Sequence, residues 1–448
     1  MNIRNPIQSS LALAFLLSIL NSMPRRNAVK AGQLAATWLL ALLLLAAINA
    51  SLSTCFAQGS LTPPGAPVPS MKSLAQIEPR TPINTLSGDS QDLYVISQPG
   101  SYYLTTNITA TGSINAISIN TNGVSLDLSG FTISSTGANG TAILLAGNQV
   151  TGIGNADITI SNGHITGSVT NNAGTYSGPG FYNGISYNIP GGTPYNVRVS
   201  GVSVSGCQYF GILLGTGNST VAESCTVNTV GSYGIQASGV FHSTAVQCGA
   251  AAINADNATD CYGNCTGYSY GMIVSYAADN CFATSLSGAG LLVATAHNCM
   301  AMGSGTGDGL DAVTASDCYG YCSGTGTGLH TPYAANNCIG YSGGSGFGLS
   351  ASVANNCIGD SVSGTGLSAG TANNCNGQCV GTGTGLSAAS ANNCIGGTGG
   401  GGTGLSVTGV AIGCYCFSSS GVAITAHIAN SCTVSSGTTN ITYKYNMP

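Results

Sequence analysis

Residues 348–359 read Gly-Leu-Ser-Ala-Ser-Val-Ala-Asn-Asn-Cys-Ile-Gly, and this segment is one unit of a repeat that organises the C-terminal half of the chain. Each unit contains an Ala-x-x-Cys motif. This motif recurs ten times at intervals of 18, 19 or 20 residues, with cysteines at 261, 281, 299, 318, 338, 357, 375, 394, 414 and 432. A fixed period with a fixed internal pattern is typical of a solenoid, in which each repeat buries its apolar face against its neighbours.

The pattern inside one unit indicates a β-strand followed by a corner. Leu349, Ala351 and Val353 alternate with serines, so the apolar side chains face inward and the serines face outward. Asn356 suits a corner that needs left-handed backbone or a side-chain bond to the backbone, and stacked Asn side chains can pair from coil to coil. We predict an all-β, right-handed parallel β-helix with about 19 residues per coil. A left-handed hexapeptide solenoid would keep a strict period of 18.

Composition and charge restrict the function classes. Only 5% of residues are charged, whereas 43% are hydrophobic and 67 are Gly, which fits short strands joined by tight turns. Four of the eight basic residues precede the hydrophobic run at 38–48. Without them, four basic residues face thirteen acidic ones, a formal charge of −9. A protein that binds nucleic-acid phosphates needs the opposite sign, so we expect no nucleic-acid partner.

The N-terminal region predicts export. Residues 1–57 are interpreted as a signal peptide with cleavage after Ala57, and translation is predicted to start at Met23. A weak twin-arginine pattern at 24–30 and a weak lipoprotein box ending at Cys55 remain alternatives for how the chain is exported or anchored. We expect a secreted, cell-surface or periplasmic protein with no transmembrane span in the mature chain.

The mature chain divides by pattern into three parts. Residues 58–92 form a Pro-rich tether and N-terminal cap, and residues 93–206 form irregular coils interrupted by a protruding loop at 174–196. Residues 207–448 form the regular coils with the Cys and Ala repeat.

A resemblance appears at the first coils. The segments 102–108, 117–119 and 123–133 read Tyr-Tyr-Leu-Thr-Thr-Asn-Ile, Ile-Ser-Ile and Gly-Val-Ser-Leu-Asp-Leu-Ser-Gly-Phe-Thr-Ile. They resemble the opening coils of bacterial secreted right-handed parallel β-helix proteins of the pectin-lyase-like superfamily, in a subgroup without assigned activity. The resemblance implies carbohydrate as the natural partner, but a shared fold does not transfer chemistry.

The catalytic motifs of that superfamily are missing from the sequence. Hydrolases resembling polygalacturonases carry paired Asp, Gly-His-Gly and Arg-x-Lys, and none of these occurs here. Pectate-type lyases need an Asp cluster for Ca²⁺ and a basic residue. Arg198 is the only Lys or Arg between Arg80 and Lys444. The sequence therefore favours a protein that is not an enzyme.

The cysteines have two interpretations. Identical positions in successive coils favour a column of buried thiols, because Cys is small and often buried. Export also permits disulfides, and second cysteines four residues on create the pairs Cys261/Cys265, Cys318/Cys322 and Cys375/Cys379. No His or acid cluster accompanies them, so we expect no metal at the cysteines.

Two polar sets are candidate sites. Asp311, His330 and Ser350 occupy the outward position after the inward Leu in three successive coils, the order of an acid–base–nucleophile relay. The alternative is a serine row with two polar substitutions. Asp308, Asp311 and Asp317 could form an acidic patch that binds Ca²⁺ weakly; the alternative is solvated turn residues. We expect no other cofactor.

Aromatic residues in the 174–196 segment form the third candidate. Sugar rings can stack on such side chains, and the alternative is packing against the flank of the solenoid. The predicted ligand-binding residues are Tyr176, Phe181, Tyr182, Tyr187 and Tyr195.

The function predicted from these patterns is structural or adhesive, with polysaccharide or a cell-surface glycan as the partner. The alternative is a polysaccharide lyase or glycoside hydrolase with a non-standard site. Repeated Thr-Gly-Thr turns, such as the one at 325–327, could also present a flat Thr array of the kind that binds ice, although turn propensity accounts for them equally well.

Overall fold

The structure is a computed structural model that describes residues 39, 40, 43, 80–137, 139–148, 150–188 and 192–447. The chain divides into two compact units, Met1–Ser73 and Leu74–Pro448. Apart from Leu39, Leu40 and Leu43, the predicted signal peptide, the start at Met23, the anchor at Cys55 and the tether up to residue 79 lie outside the described residues. None of the described helices is long and apolar enough to cross a membrane.

The second unit begins with coils of uneven length. A short 3-10 helix, Ile83–Thr85, follows the first strand. The strands of these coils are β1 (Thr81–Pro82), β2 (Asp92–Ile96), β3 (Gly100–Tyr103), β4 (Ile108–Ala110), β5 (Asn115–Ile119), β6 (Val124–Asp127), β7 (Thr132–Ser135), β8 (Thr141–Leu145), β9 (Ala156–Thr166), β10 (Thr170–Asn172), β11 (Thr175–Ser177), β12 (Asn183–Tyr187), β13 (Tyr195–Cys207), β14 (Ile212–Gly215), β15 (Val221–Glu223) and β16 (Thr226–Val230).

Regular coils follow, each made of one long and one short strand. The long strands are β17 (Ile235–Phe241), β19 (Ile253–Thr259), β21 (Met272–Asp279), β23 (Leu291–His297), β25 (Leu310–Ser316), β27 (Leu329–Asn336), β29 (Leu349–Asn355), β31 (Leu367–Asn373), β33 (Thr384–Asn392) and β35 (Thr403–Ile412). The short strands are β18 (Thr244–Cys248), β20 (Tyr262–Cys265), β22 (Phe282–Ser285), β24 (Met300–Gly303), β26 (Tyr319–Cys322), β28 (Ile339–Ser342), β30 (Ile358–Ser361), β32 (Asn376–Cys379) and β34 (Ile395–Thr398). Strands β36 (Tyr415–Asn430) and β37 (Thr433–Tyr445) run through both positions.

Among the described residues, all strands except the antiparallel pair β10 and β11 belong to one continuous parallel sheet. Each long strand pairs with the long strand of the next coil, and each short strand with the next short strand, as β29 does with β31 and β30 with β32. The all-β parallel solenoid predicted from the repeat is therefore confirmed. Its right-handed sense stays a prediction.

Small and aliphatic side chains fill the core in columns. In one coil Leu349 and Ala354 are fully buried and Cys357 is 1% exposed. Val353, which the sequence predicts to face inward, is 38% exposed, because the alternation breaks after Ala351 and the next buried residue is Ala354. All seventeen cysteines from Cys207 onward are buried and free. The favoured interpretation, a column of buried thiols, is thus confirmed, and the alternative of disulfides at the second cysteines does not hold among the described residues. Each column thiol instead donates to carbonyl groups, as Cys357 Sγ does to Asn355 O at 3.2 Å.

The variable spacing of the cysteines has a simple structural origin. Each interval of 20 residues contains one extra residue in the middle of a long strand, where the register shifts in β21, β27 and β35. Such a one-residue bulge leaves both strand ends in register. The intervals of 18 residues omit one residue from the turn before the next inward Leu or Ile. The Leu and Cys columns therefore stay aligned although the period varies.

The corner before each column cysteine adopts left-handed backbone, as the sequence predicts. The φ angles of the ten corner residues lie between 50° and 62°. Asn tolerates this conformation better than most residues. The corner row, as we name it, consists of Asp260, Asn280, Asn298, Asp317, Asn337, Asn356, Asn374, Asn393, Gly413 and Ser431.

The segment 174–196 does not protrude as a whole, which corrects the prediction for residues 181–187. Strand β12 lies in the main sheet between β8 and β14, and Phe181 is fully buried in the core. The sequence around Phe181 is rich in Gly and lacks regular alternation, so it gives no strand pattern. The large Phe181 ring fills the core of this coil.

Candidate functional site

The structure brings together two of the three residues predicted as a catalytic relay. Asp311 on β25 and His330 on β27 are in register, and Ser350 on β29 is the next partner in the row. His330 Nδ1 lies 3.0 Å from Asp311 Oδ1, so a protonated Nδ1 donates to the carboxylate. Among the described contacts no hydrogen bond joins His330 to Ser350. Ser350, the nucleophile of the predicted relay, is thus not hydrogen bonded to its predicted base.

Asp308 completes a different cluster on this face. One ligand atom from each of Asp308, Asp311 and His330 lies within 4.8 Å of the others. Asp308 Oδ1 accepts the backbone N–H of Thr327 at 2.7 Å, and burial raises the pKa of the Asp308 carboxyl. These residues would offer a divalent cation two oxygen ligands and one nitrogen. Ca²⁺ prefers sets made of oxygen alone.

Asp317, the third residue of the predicted Ca²⁺ patch, lies at the other end of β25 in the corner row. Its Oδ1 accepts Asn337 Nδ2 at 3.1 Å, and its Oδ2 lies 3.8 Å from His297 Nε2. The predicted set of Asp308, Asp311 and Asp317 is therefore not one site.

The predicted aromatic platform is dispersed. Phe181 is a core residue, and Tyr187 packs against the core. Tyr182 and Tyr195 are 39% and 48% exposed, and Tyr182 stacks on Tyr209 with ring centroids 5.2 Å apart. Packing, the alternative interpretation, holds for Phe181 and Tyr187.

Tyr176 is also a packing residue. Its hydroxyl donates to Gln247 O at 2.8 Å and lies 2.8 Å from Thr266 Oγ1. Burial raises the pKa of Tyr176 to about 12. The hairpin of β10 and β11 is therefore tied to the flank of the solenoid by this phenol.

A second outward row escaped the sequence interpretation. It consists of the residue that follows each column cysteine from Cys261 to Cys414 and is the first residue of the strand after the corner. These residues pair in register from coil to coil. We name it the apolar row: Tyr262, Phe282, Met300, Tyr319, Ile339, Ile358, Asn376, Ile395 and Tyr415.

The apolar row is accessible and ordered. Met300 is 43% exposed and Tyr415 is 41% exposed. The rings of Tyr262 and Phe282 stack with centroids 5.1 Å apart and an interplanar angle of 8°. Exposed apolar side chains that are grouped in this way usually mark an interaction site.

The corner row runs beside the apolar row, two residues earlier in each coil. Its amides hydrogen bond along the stack: Asn298 Nδ2 donates to Asn280 Oδ1 at 3.1 Å, and Asn356 Nδ2 donates to Asn337 Oδ1 at 3.3 Å. The buried cysteine separates the two rows. Together they form a strip with one polar and one apolar edge, which we call the binding strip.

One end of the binding strip is concave. An open depression of about 390 Å³ is lined by residues of both rows, including Asp260, Tyr262, Phe282 and Met300, and by His242. His242 Nε2 lies 3.2 Å from Asp260 Oδ2. A larger depression of about 550 Å³ lies among the N-terminal coils, but no charged or aromatic side chain is among the described residues that line it.

Comparisons with known proteins give only distant similarity. No protein family and no curated protein matches the chain. The A-module of mannuronan C-5 epimerase AlgE4 from Azotobacter vinelandii is similar over 78% of this chain and 88% of its own, at 9% identity and a TM-score of 0.26. The Dettilon tailspike protein gp208 matches over 78% of this chain and 61% of its own, at 12% identity and a TM-score of 0.23. PfbA, a surface adhesin of Streptococcus pneumoniae, matches over 82% of this chain and 92% of its own, at 9% identity and a TM-score of 0.22.

Proposed function

We propose that this protein is an exported, non-catalytic glycan-binding solenoid that holds polysaccharide along the binding strip. The observation that carries the proposal is the juxtaposition of the apolar row and the corner row in register over successive coils. A sugar ring has an apolar C–H face and a rim of hydroxyl groups. The first suits an aromatic or aliphatic surface, and the second suits amide and carboxylate groups.

The repetition of the strip supports a polymer as the ligand. Parallel strands stack at about 4.8 Å, so the eight steps from Tyr262 to Tyr415 span roughly 38 Å. Each coil offers only a small contact, but a chain that engages several coils at once gains affinity because later contacts form within one complex.

Rigidity supports the same proposal. The apolar row lies on strands whose neighbours fix it on both sides, and the rings of Tyr262 and Phe282 stack on each other. A ligand that binds to preformed side chains pays less conformational entropy. The predicted leader at 1–57 places the strip outside the cytoplasm in this proposal, where surface polysaccharide is available.

The test is a depletion assay with insoluble polysaccharides, in which the purified protein is compared with a Tyr262→Ala/Phe282→Ala variant. We expect the double substitution to weaken binding by about tenfold or more, because a contact between a sugar ring and an aromatic side chain that the sugar covers is worth about 1–3 kcal/mol. Tyr268→Ala is the matched control: this ring is 96% exposed and lies outside both rows. Equal binding by all three proteins would refute the role of the strip. Circular dichroism checks that the variants fold.

A second candidate is a polysaccharide lyase or glycoside hydrolase, and the hydrogen bond between Asp311 and His330 favours it. A carboxylate that orients an imidazole is a common arrangement for a general base. Assays for reducing ends and unsaturated products would reveal turnover. Turnover that is lost in both Asp311→Asn and His330→Ala would establish this candidate, and binding without turnover would exclude it for the polymers tested.

A further inference from the structure

We infer that the polymer held by the binding strip is uncharged, and that the strip discriminates against polyuronates and other anionic glycans. This inference rests on the proposed function and adds the class of ligand to it. It is carried by the distribution of charge around the strip.

Permanent cations are missing from the coils that carry the strip. The sequence contains no Lys or Arg between Arg198 and Lys444. Arg198 pairs with Glu223 on the N-terminal coils, and Lys444 Nζ donates to Thr439 on the last strand. A polyanion bound along the strip would therefore find no guanidinium or ammonium group to neutralise it.

Carboxylates, in contrast, lie on or beside the strip. Asp260 and Asp317 belong to the corner row, and Asp279 ends the long strand one residue before Asn280. Asp360 faces outward on β30, two residues after Ile358 in the apolar row. These groups accept hydrogen bonds from sugar hydroxyls, but they repel the carboxylates of a uronic acid.

The histidines do not reverse this sign. His242 is paired with Asp260, and His297 Nδ1 lies 2.6 Å from Asp279 Oδ1, with Asp317 on its other side. The hydrogen bond to Asp279 raises the pKa of His297. Even with both imidazoles protonated, their two positive charges face the three carboxylates to which they are paired, and Asp360 adds a fourth. The net charge of the strip is therefore negative whether the two imidazoles are neutral or protonated.

The test compares uncharged polymers with a polyuronate in the depletion assay. Cellulose, chitin and starch granules serve as the uncharged polymers, and cross-linked polygalacturonate is the anionic one. EDTA is included to prevent bridging by divalent cations. At low ionic strength we expect the best uncharged polymer to bind at least about tenfold more tightly than polygalacturonate. Added salt should narrow the ratio because it screens the repulsion.

An Asp260→Asn/Asp317→Asn variant isolates the charge. Asn occupies most corner positions and keeps the acceptor oxygen for the amides of Asn280 and Asn337, so the fold should tolerate it. We expect the affinity for polygalacturonate to rise relative to the affinity for the uncharged polymer, because the substitutions remove two negative charges. An unchanged ratio of the two affinities would contradict the inference. If polygalacturonate binds the unaltered protein equally well in EDTA, and Tyr262→Ala/Phe282→Ala abolishes that binding, the inference fails and the proposed function stands. If no polymer binds, the proposed function fails and this inference with it.

Discussion

The corner at Asn356 offers a sharp test of how the coils are built. Asn356 has a φ of 54°, and its side chain donates to Asn337 at 3.3 Å on the exposed surface. Left-handed backbone costs an ordinary L-residue about 1–2 kcal/mol, whereas Gly has no such penalty. An exposed hydrogen bond contributes about 0.5 kcal/mol or slightly more. We therefore expect Asn356→Ala to destabilise the coil by about 2 kcal/mol and Asn356→Gly by less than about 1 kcal/mol.

Hydrogen exchange of peptides that span β29 and β30 measures this effect locally, which suits a solenoid because its coils interact only with their neighbours. A loss of about 2 kcal/mol corresponds to roughly 30-fold faster exchange through local opening, and the Gly variant should stay below about fivefold. Asn355→Ala, one residue earlier in extended backbone, is the control for loss of an amide ladder without a change in φ preference. Equal effects of Ala and Gly at position 356 would refute the argument from backbone conformation.

Three further predictions concern packing and titration. Gly359→Ala should lower the denaturation midpoint markedly, because the added Cβ would lie 2.4 Å from Gly366 O. Gly130→Ala is the comparison: no atom lies within 4 Å of the added Cβ, so this variant tests only the strain of a φ of 78°. Burial raises the pKa of the Cys207 thiol to about 12, so iodoacetamide at pH 8 should label it only after unfolding, and rapid labelling of the native protein would contradict its burial. Tyr176→Phe should destabilise the protein by about 1–3 kcal/mol, because Gln247 O loses its donor and Asn171 Nδ2 loses its acceptor. The raised pKa of Tyr176 means that its contribution is complete below pH 10 and is lost as pH rises towards 12, which a pH series of urea denaturation would detect.

Much of the fold follows from the repeat because its physical requirements recur in every coil. Alternation correctly identified Leu349 and Ala351 as inward, but it was wrong for Val353, which is 38% exposed. Asn356 marked a corner whose left-handed φ the structure confirms. The cysteines were ambiguous only until their column was seen to be buried, with each thiol donating to a carbonyl. The register of Asp311 with His330 could also be predicted, since it requires only counting from the inward Leu.

Other features could not be read so directly. Phe181 fills a coil whose sequence has no repeat to align, so its segment was interpreted as a loop. Asp308 reaches Asp311 and His330 from a turn, and turn geometry does not follow from strand periodicity. The apolar row did have a signal, because the residue after each column cysteine is mostly aromatic or aliphatic.

The most direct test of the binding strip is hydroxyl-radical footprinting with and without the polymer that binds best. The account predicts that bound polymer lowers oxidation of Met300 and Tyr415, which are 43% and 41% exposed in the apolar row. Oxidation of Tyr268, which is 96% exposed outside the strip, should not change. Protection confined to other surfaces, or equal protection of Tyr268, would contradict the claim that this strip holds the polysaccharide.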